Sequence, residues 1–93
     1  MGDRQGNRWA TDPKLFAGVV GEAVRRHRQS AGYTQVQLAE AAGLSPNYVA
    51  RLERGELGPS FFVAHVLART LGVSVADLCD GVQPTTARRR IAG

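Results

Sequence analysis

Residues 34–55 read TQVQLAEAAGLSPNYVARLERG, and they contain two short helical patterns with a very tight turn between them. The first pattern opens at Thr34, and Gln37 three residues later predicts a capping box, in which the two side chains bond each other's backbone N–H groups. Gly43 favours the end of this helix, because glycine adopts the left-handed conformation of a helix cap. One apolar face precedes that glycine, formed by Leu38, Ala39 and Ala42.

The second pattern of this stretch begins with Ser45 and Pro46, which are typical of an N-cap and a first helical position, and continues to Gly55. A helix that ends at glycine, a turn of a few residues and a newly capped helix set the two helices at a steep angle. In that geometry one helix crosses the phosphate backbone of DNA while the other enters the major groove. We therefore interpret residues 34–54 as a helix-turn-helix.

The sequence on either side of this unit is also helical in pattern. N-cap residues and glycines at the ends predict a first helix over about residues 13–31, a fourth over 61–71 and a brief fifth over 75–79. We predict an all-α fold, a compact five-helix bundle over residues 13–80. The polar ends, which lack a helical or strand period, predict a flexible N-terminal arm over residues 1–12 and a disordered basic tail over residues 81–93.

Composition limits the kinds of function that the chain can have. Its 93 residues suit one domain, and a net charge of +4 favours a polyanionic partner, although a membrane surface or no partner at all would also fit. A single cysteine, Cys79, excludes an intramolecular disulfide and a cysteine-based zinc site. We find no membrane-spanning run, no secretory signal and no catalytic constellation. We therefore expect a cytoplasmic, non-enzymatic protein with no metal and no cofactor.

The stretch quoted above closely resembles the phage-repressor-like, or XRE-type, helix-turn-helix family. Small and apolar residues fall at the positions that this fold requires, and the resemblance extends over residues 20–78. Small phage-like repressors and the controller proteins of restriction-modification systems share this size and layout. The resemblance implies a DNA-binding protein in which the third helix reads the major groove.

Carried over position by position, the resemblance assigns roles on the DNA side. It implies base contacts for Asn47, Tyr48 and Arg51, and phosphate contacts for Gln35, Ser45 and Arg54. At the Gln35 position it also implies a side chain that braces the reading helix. Asparagine pairs with adenine and arginine with guanine, whereas phosphate contacts add affinity without sequence choice. Two alternatives stay open: Tyr48 packs on the second helix, and Arg54 is a solvated charge near a helix end.

The resemblance also assigns structural roles and shows two departures. Arg28 and Glu53 occupy positions that form a partly buried ion pair between the first and third helices of the family. Pro46 stands where relatives often have a long polar base reader, so we expect specificity to depend more on Asn47 and Arg51. His27 stands where the family usually has an apolar or small residue, and we interpret it as a partly buried spacer rather than a pH switch or a metal ligand.

The fourth helix carries more apolar residues than a monomer needs. The usual core positions of the family correspond here to Phe61, Ala64, Leu67, Ala68 and Leu71. A second apolar group would be exposed on a monomer, and we predict that it forms a two-fold dimer interface composed of Phe62, Val63, Val66, Val75, Leu78 and Cys79. The alternative is that the N-terminal extension covers this surface through Leu15, Phe16 or Trp9.

Two functions follow from these observations. The first is a transcriptional regulator that binds a pseudo-palindromic operator in double-stranded DNA as a homodimer. The second is a protein-interaction module, such as an antitoxin, that binds a partner protein through the apolar surface and binds DNA only secondarily. The basic residues Arg88, Arg89 and Arg90 either add phosphate contacts or belong to a solvated end.

Overall fold

A computed structural model describes residues 11–80, and all regular structure in this range is helical. The five helices are α1 (Pro13–Ser30), α2 (Gln35–Ala42), α3 (Pro46–Glu53), α4 (Phe61–Leu71) and α5 (Val75–Cys79). The prediction of an all-α fold with five helices is confirmed. Residues 1–10 and 81–93, which hold most of the predicted arm and all of the predicted tail, lie outside the described residues.

Side-chain caps determine where each helix begins. The residue before every helix is extended, and its side-chain oxygen accepts a backbone N–H from the first turn. These N-caps are Asp12, Thr34, Ser45, Ser60 and Ser74. The helix boundaries are thus fixed by local chemistry, and this is why the sequence pattern locates them well.

The turn between α2 and α3 depends on Gly43. This residue has φ of 72°, and its N–H and that of Leu44 donate to carbonyls in the last turn of α2. A side chain at this left-handed position would be strained. Because Ser45 already caps α3, the chain passes from one helix to the next through a very short link.

The core lies where α1 packs against α3, α4 and α5, and where α2 packs against α3 and α4. It consists of aliphatic side chains with no aromatic ring among the fully buried residues in the range 11–80. The largest fully buried residues are Val20, Val24, Leu38, Val49, Leu52, Leu67 and Leu78. Tyr33 and Phe16 pack on the edge of this core.

A close backbone contact joins α1 to α3. A Cβ atom added at Gly21 would collide with the carbonyl oxygen of Leu52 and would lie 2.9 Å from that of Glu53. Glycine at residue 21 therefore lets the two helices approach more closely than any side chain would permit. Glycine inside a helix lowers its stability, and the close packing of α1 on α3 compensates for this loss.

Two expectations about apolar residues are wrong. Phe61, expected in the core, is 81% exposed, because it is the first residue of α4 and extends one turn beyond Ala64, where the core ends. Leu78, expected at a dimer interface, is fully buried, because α5 turns it inward against α1 and α4. It therefore contributes to the monomer core and offers no surface to a partner.

Candidate nucleic-acid interface

The two faces of α3 have different environments. Val49 and Leu52 are fully buried and fix the helix to the core. Asn47 and Arg51 are exposed, and residues four apart lie on one face of a helix. The third helix therefore presents an amide and a guanidinium together to the solvent, and these are the groups that pair with adenine and guanine edges in the major groove.

Tyr48 lies between these two faces. Its ring is half-buried and packs on the edge of the core. Burial raises the pKa of the phenol above its usual value, so the hydroxyl stays protonated and able to donate at neutral pH. Tyr48 thus packs against the core, and both a contact with α2 in particular and a DNA contact stay predictions.

The residues predicted to contact phosphates have different settings. Ser45 is exposed, and its Oγ accepts the N–H of Tyr48 at 3.0 Å, so its own hydroxyl proton remains available as a donor. Gln35 is half-buried at the start of α2, where its Nε2 donates to Oε1 of Glu53 at 3.0 Å. Through this hydrogen bond Gln35 braces the end of α3, the role that the resemblance implied beside a phosphate contact.

Arg28 and Glu53 meet as a bidentate ion pair between α1 and the last residue of α3. Nε of Arg28 lies 2.6 Å from Oε2 of Glu53, and Nη2 lies 3.0 Å from Oε1. The side chains are only 10% and 3% exposed. Arg28 also donates through Nη1 to the backbone oxygen of Tyr33 at 2.9 Å. Together with Gln35, this network holds the end of α3 against α1 and the start of α2.

Glu56 is a residue of this surface that sequence reasoning missed. Its carboxylate accepts hydrogen bonds from Nε of Arg51 at 3.2 Å and from Nε of Arg54 at 2.6 Å. These hydrogen bonds, that of Arg54 first, lower the pKa of Glu56, and the same carboxylate raises the pKa of Arg54. The sequence signal was the acid that directly follows the glycine at the end of α3.

The residues predicted at a dimer interface do not all reach the surface. Phe62 is 71% exposed, and the adjacent Phe61 adds a second exposed ring. Four others are half-buried, namely Val63, Val66, Val75 and Cys79. Leu15 is itself 48% exposed. Since Phe62 is open to solvent, residues 11–80 do not cover it in the way that the alternative through Leu15 or Phe16 requires, and Trp9 lies outside the described residues.

Other kinds of site have little support within the described part of the chain. His27 is buried, with 4% of its surface exposed, as expected of a spacer. No group of three or more histidine, cysteine and acidic side chains is placed to hold a metal ion between residues 11 and 80. None of the helices in that range has both the length and the hydropathy needed to cross a bilayer.

In this small helical domain a tight glycine turn joins α2 to α3, and α3 has one face in the core and the other in solvent. This is the arrangement of a helix-turn-helix domain. The chain belongs to the helix-turn-helix family, which residues 24–78, more than half of its length, match. The predicted XRE-type membership is confirmed. This is a family of DNA-binding transcription regulators rather than of enzymes.

Known proteins resemble the chain in sequence and in structure. It is 43% identical over 49 residues to an uncharacterized HTH-type transcriptional regulator of Methanothermobacter thermautotrophicus, covering 53% of this chain and 71% of that protein. It is 40% identical over 60 residues to the immunity repressor protein of Bacillus phage phi105, covering 64% of this chain and only 42% of the repressor. The chain therefore spans less than half of the phage protein.

A solved structure extends the likeness to three dimensions. The clp gene regulator ClgR from Corynebacterium glutamicum has a TM-score of 0.68 and 36% identity to this chain. The match covers 71% of this chain and 85% of that one. The arrangement of the helices is thus that of a known gene regulator.

Proposed function

We propose that the protein is a sequence-specific transcriptional regulator that binds a pseudo-palindromic operator as a homodimer, with α3 in the major groove. The observation that carries this proposal is the exposed pair of Asn47 and Arg51 on a helix whose opposite face is buried. A rigid helix with base-pairing groups on its free face meets the requirement of direct readout. The proposal includes a cytoplasmic location, because the DNA to be regulated lies there. It includes no catalytic activity.

The geometry of this surface supports the remaining proposed roles. Ser45 and Arg54 flank the reading face and are exposed, so they fit contacts with phosphates on either side of the groove. Gln35 begins α2, where it would meet a phosphate while it still braces Glu53. These contacts set the register of α3 in the groove, and base recognition depends on Asn47 and Arg51.

The proposed homodimer rests on the exposed rings of Phe61 and Phe62, with Val63, Val66, Val75 and Cys79 as partly buried neighbours. Adjacent exposed aromatic rings are costly to hydrate and are common at protein interfaces. To read two half-sites one turn of DNA apart, the proposed dimer has to hold its two copies of α3 roughly 34–36 Å from each other.

The experiment that tests operator binding is selection from a randomised duplex pool at physiological salt, followed by sequencing. Physiological salt weakens the attraction to phosphates that every duplex offers. We expect enrichment of a two-fold symmetric motif, and loss of this enrichment in Asn47→Ala and in Arg51→Ala. Arg25→Ala is the matched control, because Arg25 is an exposed arginine of α1, outside the helix-turn-helix and outside the proposed dimer interface.

The exposed phenylalanines also favour a second candidate function, a module that binds a partner protein, such as an antitoxin. Such a module would retain the helix-turn-helix as a scaffold. Selection that enriches no motif above non-specific affinity would contradict the operator proposal and favour this second function.

A further inference from the structure

Glu56 lies between the two arginines at the end of α3. The same carboxylate accepts from both of them, through different oxygens, and the side chains of Arg51, Arg54 and Glu56 are 47%, 57% and 43% exposed. The C-terminal end of α3 therefore carries two positive side chains that share one negative charge. Of the two, Arg51 is the proposed base reader and Arg54 the proposed phosphate contact.

The backbone fixes the position of this carboxylate. Gly55 has φ of 76°, and its N–H donates to the carbonyl oxygen of Leu52 at 3.0 Å. The N–H of Glu56 donates in turn to the carbonyl oxygen of Arg51 at 3.0 Å. The left-handed glycine thus turns the chain back over the last turn of α3 and places the acid beside that turn.

Glu56 is ionised at neutral pH, because the pKa of a glutamate lies well below 7. Hydrogen bonds from Arg54 and Arg51 lower that pKa further. A fixed negative charge near both arginines opposes the approach of phosphates, which dominate non-specific binding. It does so equally on every DNA sequence.

The donors that remain on Arg51 suit a base. Only its Nε is bound to Glu56, so the terminal nitrogens of the guanidinium remain as donors. Two such donors form the bidentate contact with O6 and N7 of guanine. A carboxylate bound at Nε also restricts the rotation of the guanidinium. Less conformational entropy is therefore lost when the base contact forms.

We propose that Glu56 is a positioning residue that sharpens sequence discrimination, by orienting Arg51 toward a base and by weakening the attraction of both arginines to phosphates. This inference rests on the proposed function in DNA reading. It assigns to Glu56 a part in the ratio between operator and non-operator affinity rather than in affinity alone.

The test compares Glu56→Gln with wild type in binding to the selected operator and to a scrambled duplex over a series of salt concentrations. We expect the scrambled duplex to bind more tightly and the ratio of the two affinities to fall by about two- to fivefold, the range that exposed ion pairs give. We also expect the plot of log affinity against log salt to steepen by about one unit, because one more phosphate contact forms.

Two further variants separate this role from a general effect. Glu40→Gln removes an exposed acid of α2 for which residues 11–80 show no ion pair, and it should leave the affinity ratio unchanged. Glu56→Asp keeps the charge and should retain the wild-type salt slope. Equal melting temperatures of Glu56→Gln and wild type would show that folding is not the cause.

An unchanged ratio and slope in Glu56→Gln, or changes no larger than those of Glu40→Gln, would overturn the proposal. Failure of the proposed function would give a different result, because the wild type itself would then show no preference for any duplex. In that case the salt slope on scrambled DNA still decides whether Glu56 opposes phosphates.

Discussion

The guanidinium of Arg28 donates two hydrogen bonds to the carboxylate of Glu53, and both side chains are almost completely removed from solvent. Each charge has therefore given up its hydration and depends on the other for compensation. Breaking such a pair from one side leaves a buried charge without a partner, which is much more costly than the loss of an exposed pair.

We expect Glu53→Ala to lower the free energy of unfolding by about 3–5 kcal/mol, because the change leaves Arg28 buried without its anion. Urea denaturation measures this loss. Glu40→Ala, at an exposed glutamate of α2, is the matched control and should change stability little. We also expect Arg28→Ala combined with Glu53→Ala to cost less than the sum of the two single changes. If the costs of the two single changes add up in the double variant, the interaction between Arg28 and Glu53 is contradicted.

The two glycines of α1 provide a second prediction, in which the same substitution has opposite effects three residues apart. We expect Gly18→Ala to stabilise the fold by about 0.5–1 kcal/mol, because a Cβ there meets nothing within 4 Å and alanine favours a helix. We expect Gly21→Ala to destabilise it by more than about 1 kcal/mol, because its Cβ collides with the backbone of α3. Thermal melting of both variants checks the signs, and a Gly21→Ala that is as stable as wild type would refute the close contact.

The third prediction concerns self-association through Phe62. We expect sedimentation at micromolar concentration to show a dimer for wild type and a monomer for Phe62→Glu, because a charge on an apolar interface must be desolvated without a partner. Val36→Glu is the control, since Val36 of α2 is 50% exposed but lies outside the proposed interface. A dimer that persists in Phe62→Glu would contradict the proposed interface.

The fourth prediction follows from the environment of Cys79. Partial burial, and to a smaller extent the charge of Asp80, raises the pKa of its thiol above the usual value. We expect a disulfide reagent to react more slowly with the folded chain than with the chain in urea, and the rate to rise at higher pH. Equal pH profiles in both states would contradict the raised pKa.

The same shift affects stability. The unfolded thiol loses its proton at a lower pH than the folded one, so the unfolded state is favoured as the pH rises past the pKa of the unfolded thiol. We therefore expect the free energy of unfolding to fall in that range and to level off above the folded pKa. Cys79→Ser should remove this part of the pH dependence.

The sequence predicted the helices well because their boundaries depend on neighbours in the chain. Thr34 with Gln37, and Ser74 with Asp77, form capping boxes that need only residues three apart. Membership of the helix-turn-helix family followed from the same local pattern. Residues 34–54 were sufficient to predict which helix turns its polar face outward.

The errors concern properties that depend on the whole bundle. Phe61 has the spacing of a core residue, but its exposure depends on where the core ends, which no local pattern reveals. Helix α5 has only five residues, too few to show which side faces inward, and for this reason the prediction of Leu78 at a dimer interface is wrong. The bonds of Glu56 depend on how the loop after α3 lies against that helix, and the sequence contains no period that predicts them.

The division of α3 between a buried face and an open one has a consequence for how such a protein diversifies. Val49 and Leu52 carry the packing, whereas Asn47 and Arg51 contribute nothing to the interior. Under the proposed function, new operator preferences are therefore accessible by single exchanges at surface positions, while the scaffold stays intact. A lineage, or a protein engineer, would then move between target sequences through variants that all keep the same folded core.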